Sequence, residues 1–492
     1  MSLAVLSDEV IRNLLENLTR EEVEGFQDAL SNALHEYSTG TQALDASLYN
    51  QPERCSTYSD RTGATTLFMP SLSPIGHGVK VVTVSSPLAN PSLPVIKPTG
   101  SMTLYSPDGS PLGFLHAQTL TAFRTALASS CLLVKRTNVR TLTVFGSGLQ
   151  AYWHIRLALM LRGTTIRIVN IINRQFSENA KQILRQFYSV PMETKEREGW
   201  EEVQFSMLTP GYGEYQRLQK EHIRASDVIY CCTPSVEELF DASILTNHEG
   251  RRKGRLIVAV GSYTKDMREL PRELLVQATR THQHGHLHYH KHATEGGVIV
   301  VDSLSGALKE AGEIIDAGLE PKQLVELGEL TMIKRAVEEV DSSQASTDTN
   351  SLSESIERLD LSSQSSAMSA VFGTTSAGSA GNDSGSKRSS SPSPRHVSHD
   401  SGGSSTGRAS SPSGFHLPSL RHHKRTASQQ SSKEKKEKED QKHDDHLSRW
   451  LSSGNVIYKS VGLGLMDLVV GFEVVKLAKT KGVGTSVDNF SS

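Results

Sequence analysis

The chain has 492 residues, with 52 Lys and Arg against 54 Asp and Glu, so its formal net charge is only −2. This balance excludes a general electrostatic attraction to nucleic acid or to an anionic membrane. Four cysteines without C-x-x-C spacing are typical of a reducing compartment. The first residues lack the basic segment and the following apolar segment of a signal peptide. No apolar run reaches membrane-spanning length. We therefore expect a cytoplasmic protein.

The first domain, residues 1–136, begins with two predicted helices. Ser7 is a predicted N-cap for the first, and Thr19 with Glu22 forms a predicted capping box for the second. Strands are then expected at 65–69, 78–85, 102–105 and 112–115, followed by a helix over 119–135. The turn Ser106-Pro-Asp-Gly109 predicts a hairpin between the last two strands.

Residues 137–335 alternate short apolar strands with helices. Strands are predicted at 141–145, 165–173, 203–206, 227–233, 256–260 and 298–302. This alternation indicates a parallel sheet that is covered on both faces. Ligands of such sheets bind beyond the carboxyl ends of the strands, where Asn173, Thr233 and Gly261 lie.

A glycine turn follows the first of these strands. Gly146, Gly148 and Ala151 give the pattern G-x-G-x-x-A between the strand and a helix. The first glycine permits the turn, and the second lets a pyrophosphate approach the backbone at the N-terminus of the helix. A plain strand–turn–helix packing device is the alternative, but the context favours a dinucleotide site. Its expected members here are Gly146, Ser147, Gly148, Leu149 and Gln150.

The next strand ends in Asn173-Arg174. Proteins that bind NAD usually carry an acidic residue here for the ribose hydroxyls, whereas a neutral residue followed by Arg suits a 2′-phosphate. The sequence thus favours NADP(H) over NAD(H), with an ordinary loop arginine as the competing interpretation.

Two segments interrupt the pattern. Histidines alternate at 282–292, and on a strand they would line one face and could bind a metal ion. A solvated loop is the favoured interpretation, so we predict no metal site. Residues 341–447 are rich in Ser, Gly and charge, which predicts a disordered insert. Its Ser-Pro and Arg-x-x-Ser patterns make it a candidate kinase substrate. Residues 450–492 regain an apolar helical pattern and are expected to complete the first domain.

Three cations stand in apolar surroundings in the first domain. Lys80 interrupts an apolar strand, Arg124 interrupts an apolar helix, and Arg54 lies between them and the N-terminal helices. A buried cation is costly unless it is paired or faces a cavity. Snorkelling at a domain edge is the alternative, and spacing alone does not show that the three converge.

Several motifs, in order, resemble the ornithine cyclodeaminase/μ-crystallin family. They are Leu67-Phe-Met-Pro70, Gly78-Val-Lys-Val-Val82, Leu120-Thr-Ala-Phe-Arg-Thr-Ala-Leu-Ala128, Phe145-Gly-Ser-Gly-Leu-Gln-Ala151, Val260-Gly-Ser with Arg268-Glu-Leu270, Val301-Asp302 with Glu310-Ala-Gly312, and Lys459-Ser-Val-Gly462 with Asp467-Leu468. The chain looks like a fungal, proline-utilisation (PrnX-like) member. The resemblance covers roughly residues 1–335 and 450–492.

The resemblance implies an α/β fold: a Rossmann-type doubly wound domain plus a discontinuous α+β substrate-binding and dimerisation domain, with a long disordered insert. It implies a homodimer that acts on a small amino or imino acid. Arg54, Lys80 and Arg124 would grip the substrate carboxylate, and Lys80 would also be a proton source. The motif at 459–462 adds Val461 and Gly462 to the cofactor-binding set.

One position departs from the family pattern. Cyclodeaminases carry an aspartate where this chain has Tyr263. The change disfavours ornithine cyclisation and leaves NADP-dependent reduction of an imino acid (a ketimine), or the reverse oxidation of an amino acid, as the leading interpretation. A cyclodeaminase that converts ornithine to proline and ammonia, and a non-catalytic NADP-binding sensor, remain the alternatives.

Overall fold

The structure, a computed structural model, describes residues 2–40, 49–85, 90, 92–280, 296–330, 448, 450–488 and 490. All of these residues belong to one compact unit. The histidine run at 282–292 and the serine-rich segment at 341–447 lie outside the described residues. No helix in the described part of the chain is both long and apolar enough to cross a bilayer.

The helices follow the chain in this order: α1 (Asp8–Glu16), α2 (Arg20–Gly40), α3 (Ala117–Leu133), α4 (Leu149–Arg162), α5 (Glu178–Tyr188), α6 (Met192–Glu198), α7 (Tyr215–Ala225), α8 (Ser243–Thr246), α9 (Arg272–Ala278), α10 (Leu304–Glu310), α11 (Gly312–Asp316) and α12 (Gly464–Lys481).

The strands are β1 (Leu3–Leu6), β2 (Cys55–Ser59), β3 (Ala64–Ser73), β4 (Gly76–Ser85), β5 (Thr99–Tyr105), β6 (Pro111–His116), β7 (Thr141–Phe145), β8 (Ile168–Ile172), β9 (Gln204–Leu208), β10 (Val228–Cys231), β11 (Leu256–Ala259), β12 (Val298–Val301), β13 (Leu324–Glu326), β14 (Val456–Lys459) and β15 (Thr485–Val487).

The N-terminal helices begin where the sequence predicts. The Ser7 hydroxyl accepts a hydrogen bond from the Val10 amide at 3.3 Å. Thr19 and Glu22 form the predicted reciprocal capping box, with distances of 2.9 and 3.1 Å. These caps satisfy amides that have no partner inside the helix. The two helices are confirmed.

The first sheet has seven strands in the order β15-β1-β6-β5-β4-β3-β2. The predicted hairpin is confirmed, since Met102 pairs with Leu115 and Tyr105 with Pro111. Helices α1, α2, α3 and α12 cover the face that carries Met102, Leu104 and Leu115. The sequence missed β1, which is very short, and β2, whose side chains are all exposed and lack an apolar alternation.

The second sheet has eight strands in the order β13-β12-β14-β11-β10-β7-β8-β9, and its pairs are all parallel. Every residue of the central strands β10, β11, β12 and β14 is buried. The predicted α/β, Rossmann-type fold is confirmed. The sheet runs parallel throughout because helical crossovers lie between its strands.

The C-terminal segment departs from its prediction. Residues 450–492 were expected to complete the first domain, and in addition Val456–Lys459 is a central strand of the second sheet, between β11 and β12. Helix α12 and strand β15 then join the first sheet. All four residues of β14 are buried, on both faces of the sheet. This burial suits a strand in the interior of a parallel sheet.

Candidate active site

A cavity of about 910 Å³ lies beyond the carboxyl ends of the parallel strands. Its wall includes Met69 and Lys80 of the first sheet, and Gly148 and Gly261 from the strand ends of the second. Ten of the sequence-predicted site residues line it: Arg54, Lys80, Arg124, Ser147, Gly148, Leu149, Gln150, Arg174, Val461 and Gly462. The structure therefore places cationic residues of the first domain and the glycine turn of the second sheet around one space.

The glycine turn has the backbone that its sequence requires. Gly146 has φ +104°, and a Cβ there would lie 2.9 Å from the Cys232 carbonyl oxygen and 3.0 Å from Thr233 Cγ2. A side chain at this position would be both strained and crowded. Gly146 itself lies behind the cavity wall and shapes the turn from there.

The space above the turn fits a dinucleotide. Gly148 is the N-cap of α4, and a Cβ there would meet no atom within 4 Å. The Gln150 Oε1 atom is buried and has no hydrogen-bond partner among the described residues. Free helix N-terminal amides beside open space suit a pyrophosphate. A nicotinamide dinucleotide would be held here by Ser147, Gly148, Leu149 and Gln150.

The predicted residues at the neighbouring strand ends differ in whether they line the cavity. Arg174 is exposed and lines the cavity beside Asn179 and Gln182 of α5. Asn173 does not line it, because its side-chain amide donates to the Gln175 carbonyl oxygen at 2.6 Å. Thr233 also lies outside the lining. Of Asn173, Arg174 and Thr233, only Arg174 lines the cavity.

Two of the predicted cations share one carboxylate. Lys80 Nζ lies 2.5 Å from Asp467 Oδ2, and Arg124 Nε lies 3.1 Å from Asp467 Oδ1. Lys80 and Arg124 are 2% and 4% exposed, and Asp467 is fully buried. The three side chains come from β4, α3 and α12. They converge because α3 and α12 pack on the inner face of the first sheet.

This arrangement changes the acidity of Lys80. Burial lowers the pKa of Lys80 to about 8, and Arg124 contributes in the same direction, whereas Asp467 opposes the shift. A lysine with such a pKa is an effective proton donor near neutral pH. Lys80 also lines the cavity.

Arg54 is held by two residues that follow strands of the second sheet, Glu310 and Tyr263. Its Nη2 atom lies 2.6 Å from Glu310 Oε2 and donates to the Tyr263 carbonyl oxygen at 2.9 Å. Burial raises the pKa of Glu310, and Arg54 opposes that rise. Tyr263 therefore lines the cavity and positions Arg54 through its backbone carbonyl oxygen.

The segment after β14 closes the cavity beside Arg124. The amides of Val461 and Gly462 donate to Asp302 Oδ2 at 2.9 and 2.8 Å. Gly462 has φ +84°, and a Cβ there would lie 2.7 Å from Arg124 Nη2. Only glycine lets the backbone adopt this conformation against the guanidinium.

Sequence reasoning singled out the cations but not their carboxylates. Asp467 lies in an apolar helix. The rule that singled out Lys80, that a buried charge is costly unless it is paired, would also have singled out Asp467. Asp302, Glu269 and Glu310 lie in family motifs, but their contacts depend on tertiary structure. None of the four was predicted as a site residue.

The fold and the cavity together define a Rossmann-type protein with a buried cationic cluster facing its glycine turn. Comparison with known families shows which of them the chain is similar to. The model described as the ornithine cyclodeaminase/mu-crystallin family matches residues 9–204. The predicted resemblance to that family is confirmed.

Two curated relatives are similar over longer stretches. An uncharacterised protein of Saccharomyces cerevisiae is 25% identical over 357 residues, which are 68% of this chain and 88% of that protein. The ketimine reductase mu-crystallin of Mus musculus is 28% identical over 254 residues, which are 51% of this chain and 64% of the mouse protein.

Solved structures share the fold. A Thermococcus litoralis Δ1-pyrroline-2-carboxylate reductase in complex with NADH and L-proline matches with a TM-score of 0.55 at 18% identity, covering 98% of this chain and 100% of that one. An archaeal alanine dehydrogenase dimer with bound NAD matches with a TM-score of 0.55 at 16% identity, covering 100% of both chains. At these identities, the comparisons show a common fold.

Proposed function

We propose that the protein is an NAD(P)-dependent oxidoreductase that reduces an imino acid (a ketimine) to the amino acid, or catalyses the reverse oxidation. The observation that carries this proposal is the buried Lys80–Asp467–Arg124 cluster, which faces the same cavity as the glycine turn. The similar mouse protein is named a ketimine reductase, which supports the same activity.

The charges of the cluster suit a substrate with one carboxylate. Three cations, Arg54, Lys80 and Arg124, are paired with only two carboxylates, Asp467 and Glu310, so these five side chains carry one net positive charge when all are ionised. A single substrate carboxylate compensates this charge and accepts paired hydrogen bonds from a guanidinium. The nearby wall of Leu67, Met69 and Val82 suits an apolar remainder.

Reduction of an imine needs a hydride on carbon and a proton on nitrogen. The bound nicotinamide cofactor supplies the hydride. Lys80 is the proton donor: its ammonium gives a proton to the imine nitrogen and leaves a neutral amine, which solvent later reprotonates. Asp467 holds the Lys80 ammonium at the cavity wall, and the arginines fix the carboxylate so that the imine carbon is oriented.

The proposal is tested by measuring NADPH oxidation with pyrroline-2-carboxylate and piperideine-2-carboxylate. We expect turnover with at least one of them. Tight nucleotide binding without turnover of any imino acid would instead identify a sensor, and formation of ammonia and proline from ornithine would identify a cyclodeaminase.

NADP(H) is the proposed cofactor. Arg174 lines the cavity where the second strand of the dinucleotide unit ends, and no acidic residue occupies that strand end. We expect Arg174→Asp to weaken NADPH binding by about tenfold or more, since a charge-assisted phosphate contact is lost. NADH binding should change much less, and fluorescence titration with both nucleotides measures the difference. Equal losses would refute a 2′-phosphate contact.

We also propose a homodimer that forms through the uncovered face of the first sheet. The register places Val5, Pro70, Val79, Thr103 and Phe114 side by side across five strands of that face. Phe68, Leu72 and Phe114 are 37, 45 and 45% exposed. A continuous apolar face of this kind is typical of an interface.

Phe114→Asp combined with Leu72→Asp is therefore expected to convert a dimer to a monomer in sedimentation velocity. The charges would lie in the apolar contact without partners. Tyr188→Asp, on the exposed end of α5, is the matched control and should leave the dimer intact. A monomeric wild type would exclude the interface.

The cytoplasm is the proposed location. No disulfide links the cysteines in the described part of the chain, and three of the four are buried, as expected in a reducing compartment.

A further inference from the structure

We propose that Glu269 is a positioning residue that fixes the ends of β10 and β11 at the cavity and, through Tyr263, fixes Arg54. Its proposed effect on the substrate rests on the reductase function proposed above. Its effect on the backbone does not, and the two are tested separately below.

The Glu269 carboxylate joins two neighbouring strand ends. Oε1 accepts from the Thr233 amide at 2.7 Å and from the Thr233 hydroxyl at 3.2 Å. Oε2 accepts from the Gly261 and Ser262 amides at 2.7 and 3.3 Å. Both oxygens of one fully buried side chain are thus used to hold backbone that follows β10 and β11.

These two strand ends approach each other closely. A Cβ on Gly261 would lie 2.1 Å from the Thr233 carbonyl oxygen. The Thr233 and Gly261 amides come after Cys231 and Ala259, the last paired residues of the two strands. Buried amides without an acceptor are costly, so the carboxylate supplies what the sheet no longer provides.

The position of Glu269 is set in turn by a second buried layer. The Glu269 amide donates to Glu313 Oε1 at 2.9 Å, and the Ser262 hydroxyl donates to the same oxygen at 2.5 Å. Lys459 Nζ donates to the Ser262 carbonyl oxygen at 2.6 Å and lies 3.5 Å from Glu313 Oε2. Strand β14 and helix α11 therefore hold the 261–263 segment from behind.

The held segment forms part of the site. Gly261 and Tyr263 line the cavity, and the Tyr263 carbonyl oxygen accepts from Arg54 Nη2 at 2.9 Å. A shift of the segment would displace this acceptor and with it the guanidinium. Glu269 lies outside the cavity lining, so its influence on a ligand passes through the backbone.

The ionised form of Glu269 makes the full set of contacts. Burial raises the pKa of Glu269 to about 7, and Glu313 adds to the rise, whereas Lys459 and the amides of Thr233 and Gly261 oppose it. The experiments are therefore best made above this pKa, where the carboxylate accepts from all four donors.

Glu269→Gln tests the backbone role. The amide group keeps one acceptor oxygen but turns an NH₂ toward a strand end, so one pair of donors loses its acceptor. We expect hydrogen exchange of the 256–264 backbone to speed up by about tenfold or more, since a lost buried acceptor destabilises that region. Peptides from β7 and α4 should exchange as in the wild type.

Asp227→Asn is the matched control. Asp227 is buried and accepts from the Arg140 and Thr141 amides at 2.8 and 2.9 Å, at the opposite end of the same sheet. It should lower the melting temperature without speeding exchange at 260–264, because its contact with this strand is at the start, where its carbonyl oxygen accepts from the Leu256 amide at 3.1 Å. Glu269→Asp, which keeps the charge but is too short to reach both strand ends, gives a second measurement if the glutamine variant does not fold.

The substrate role is read from kinetics. Glu269→Gln should raise the KM for the imino acid by about tenfold, as expected for a displaced charge-assisted contact, with the NADPH Kd changed by less than about threefold. Asp227→Asn should change neither. Unchanged exchange at 256–264, or the same kinetic losses in Asp227→Asn, would overturn the proposal. A wild type without turnover would refute the proposed function, and the exchange measurement alone would then decide the backbone role.

Discussion

Asp467→Asn is expected to lower kcat/KM for imine reduction by about 10²–10⁴-fold, the range spanned by a positioned proton donor. The substitution removes the one carboxylate that Lys80 and Arg124 share. Two buried cations would then face each other without a partner, which costs about 3–5 kcal/mol when the charges remain buried. Steady-state kinetics and thermal unfolding measure the two losses.

The pH profile separates loss of the proton donor from general damage. In the proposed mechanism, imine reduction uses protonated Lys80, so activity should fall as pH rises through its pKa of about 8. The Asp467 carboxylate raises the pKa of Lys80, and its removal must lower that pKa. The alkaline limb of kcat/KM should therefore move to lower pH in Asp467→Asn.

Glu198→Gln is the matched control for this prediction. Glu198 forms a buried pair with Arg156, 2.8 Å from its Nη2, and neither residue lines the cavity. This variant should lose stability as well, but its alkaline limb should stay in place. An unmoved limb in Asp467→Asn would show that Lys80 is not the proton donor.

The fold was largely predictable because its signals are local. Apolar strands alternating with helices predicted the second sheet, and the Ser106–Gly109 turn predicted the hairpin. Strand β14 was not predicted as part of the second sheet, since a four-residue strand, Val-Ile-Tyr-Lys, does not indicate which sheet it joins. Its place between β11 and β12 follows from the packing of segments that are far apart in sequence.

The candidate site was predictable only in part. Lys80 and Arg124 could be singled out because a cation in an apolar element needs a partner. The partner of Lys80 lies 387 positions further along the chain, and no spacing rule connects the two. Glu269 escaped prediction for the same reason, since its contacts are backbone amides that any sequence would present.

Arg124→Ala is expected to reduce kcat/KM for the imino acid by about 10²–10³-fold, as for a buried charge-assisted carboxylate contact. Arg124 Nε is occupied by Asp467, and its Nη atoms lie beside Gly462 at the cavity wall. The substrate carboxylate is the ligand that this end of the guanidinium suits. Arg124→Lys should recover little activity, since it keeps the charge but lacks the planar pair of donors.

The contrast with nucleotide binding makes this prediction specific. Arg124 belongs to α3 of the first domain, whereas the glycine turn precedes α4. The substitution Arg124→Ala therefore removes no phosphate contact, and NADPH affinity should stay within about threefold of the wild type. Arg136→Ala is the control for burial: Arg136 is 4% exposed and donates to the carbonyl oxygens of Leu451 and Gly454, away from the cavity lining. It should lower the melting temperature and leave KM unchanged. A large loss of NADPH binding in Arg124→Ala would instead place this arginine in the cofactor site and leave the substrate carboxylate to Arg54.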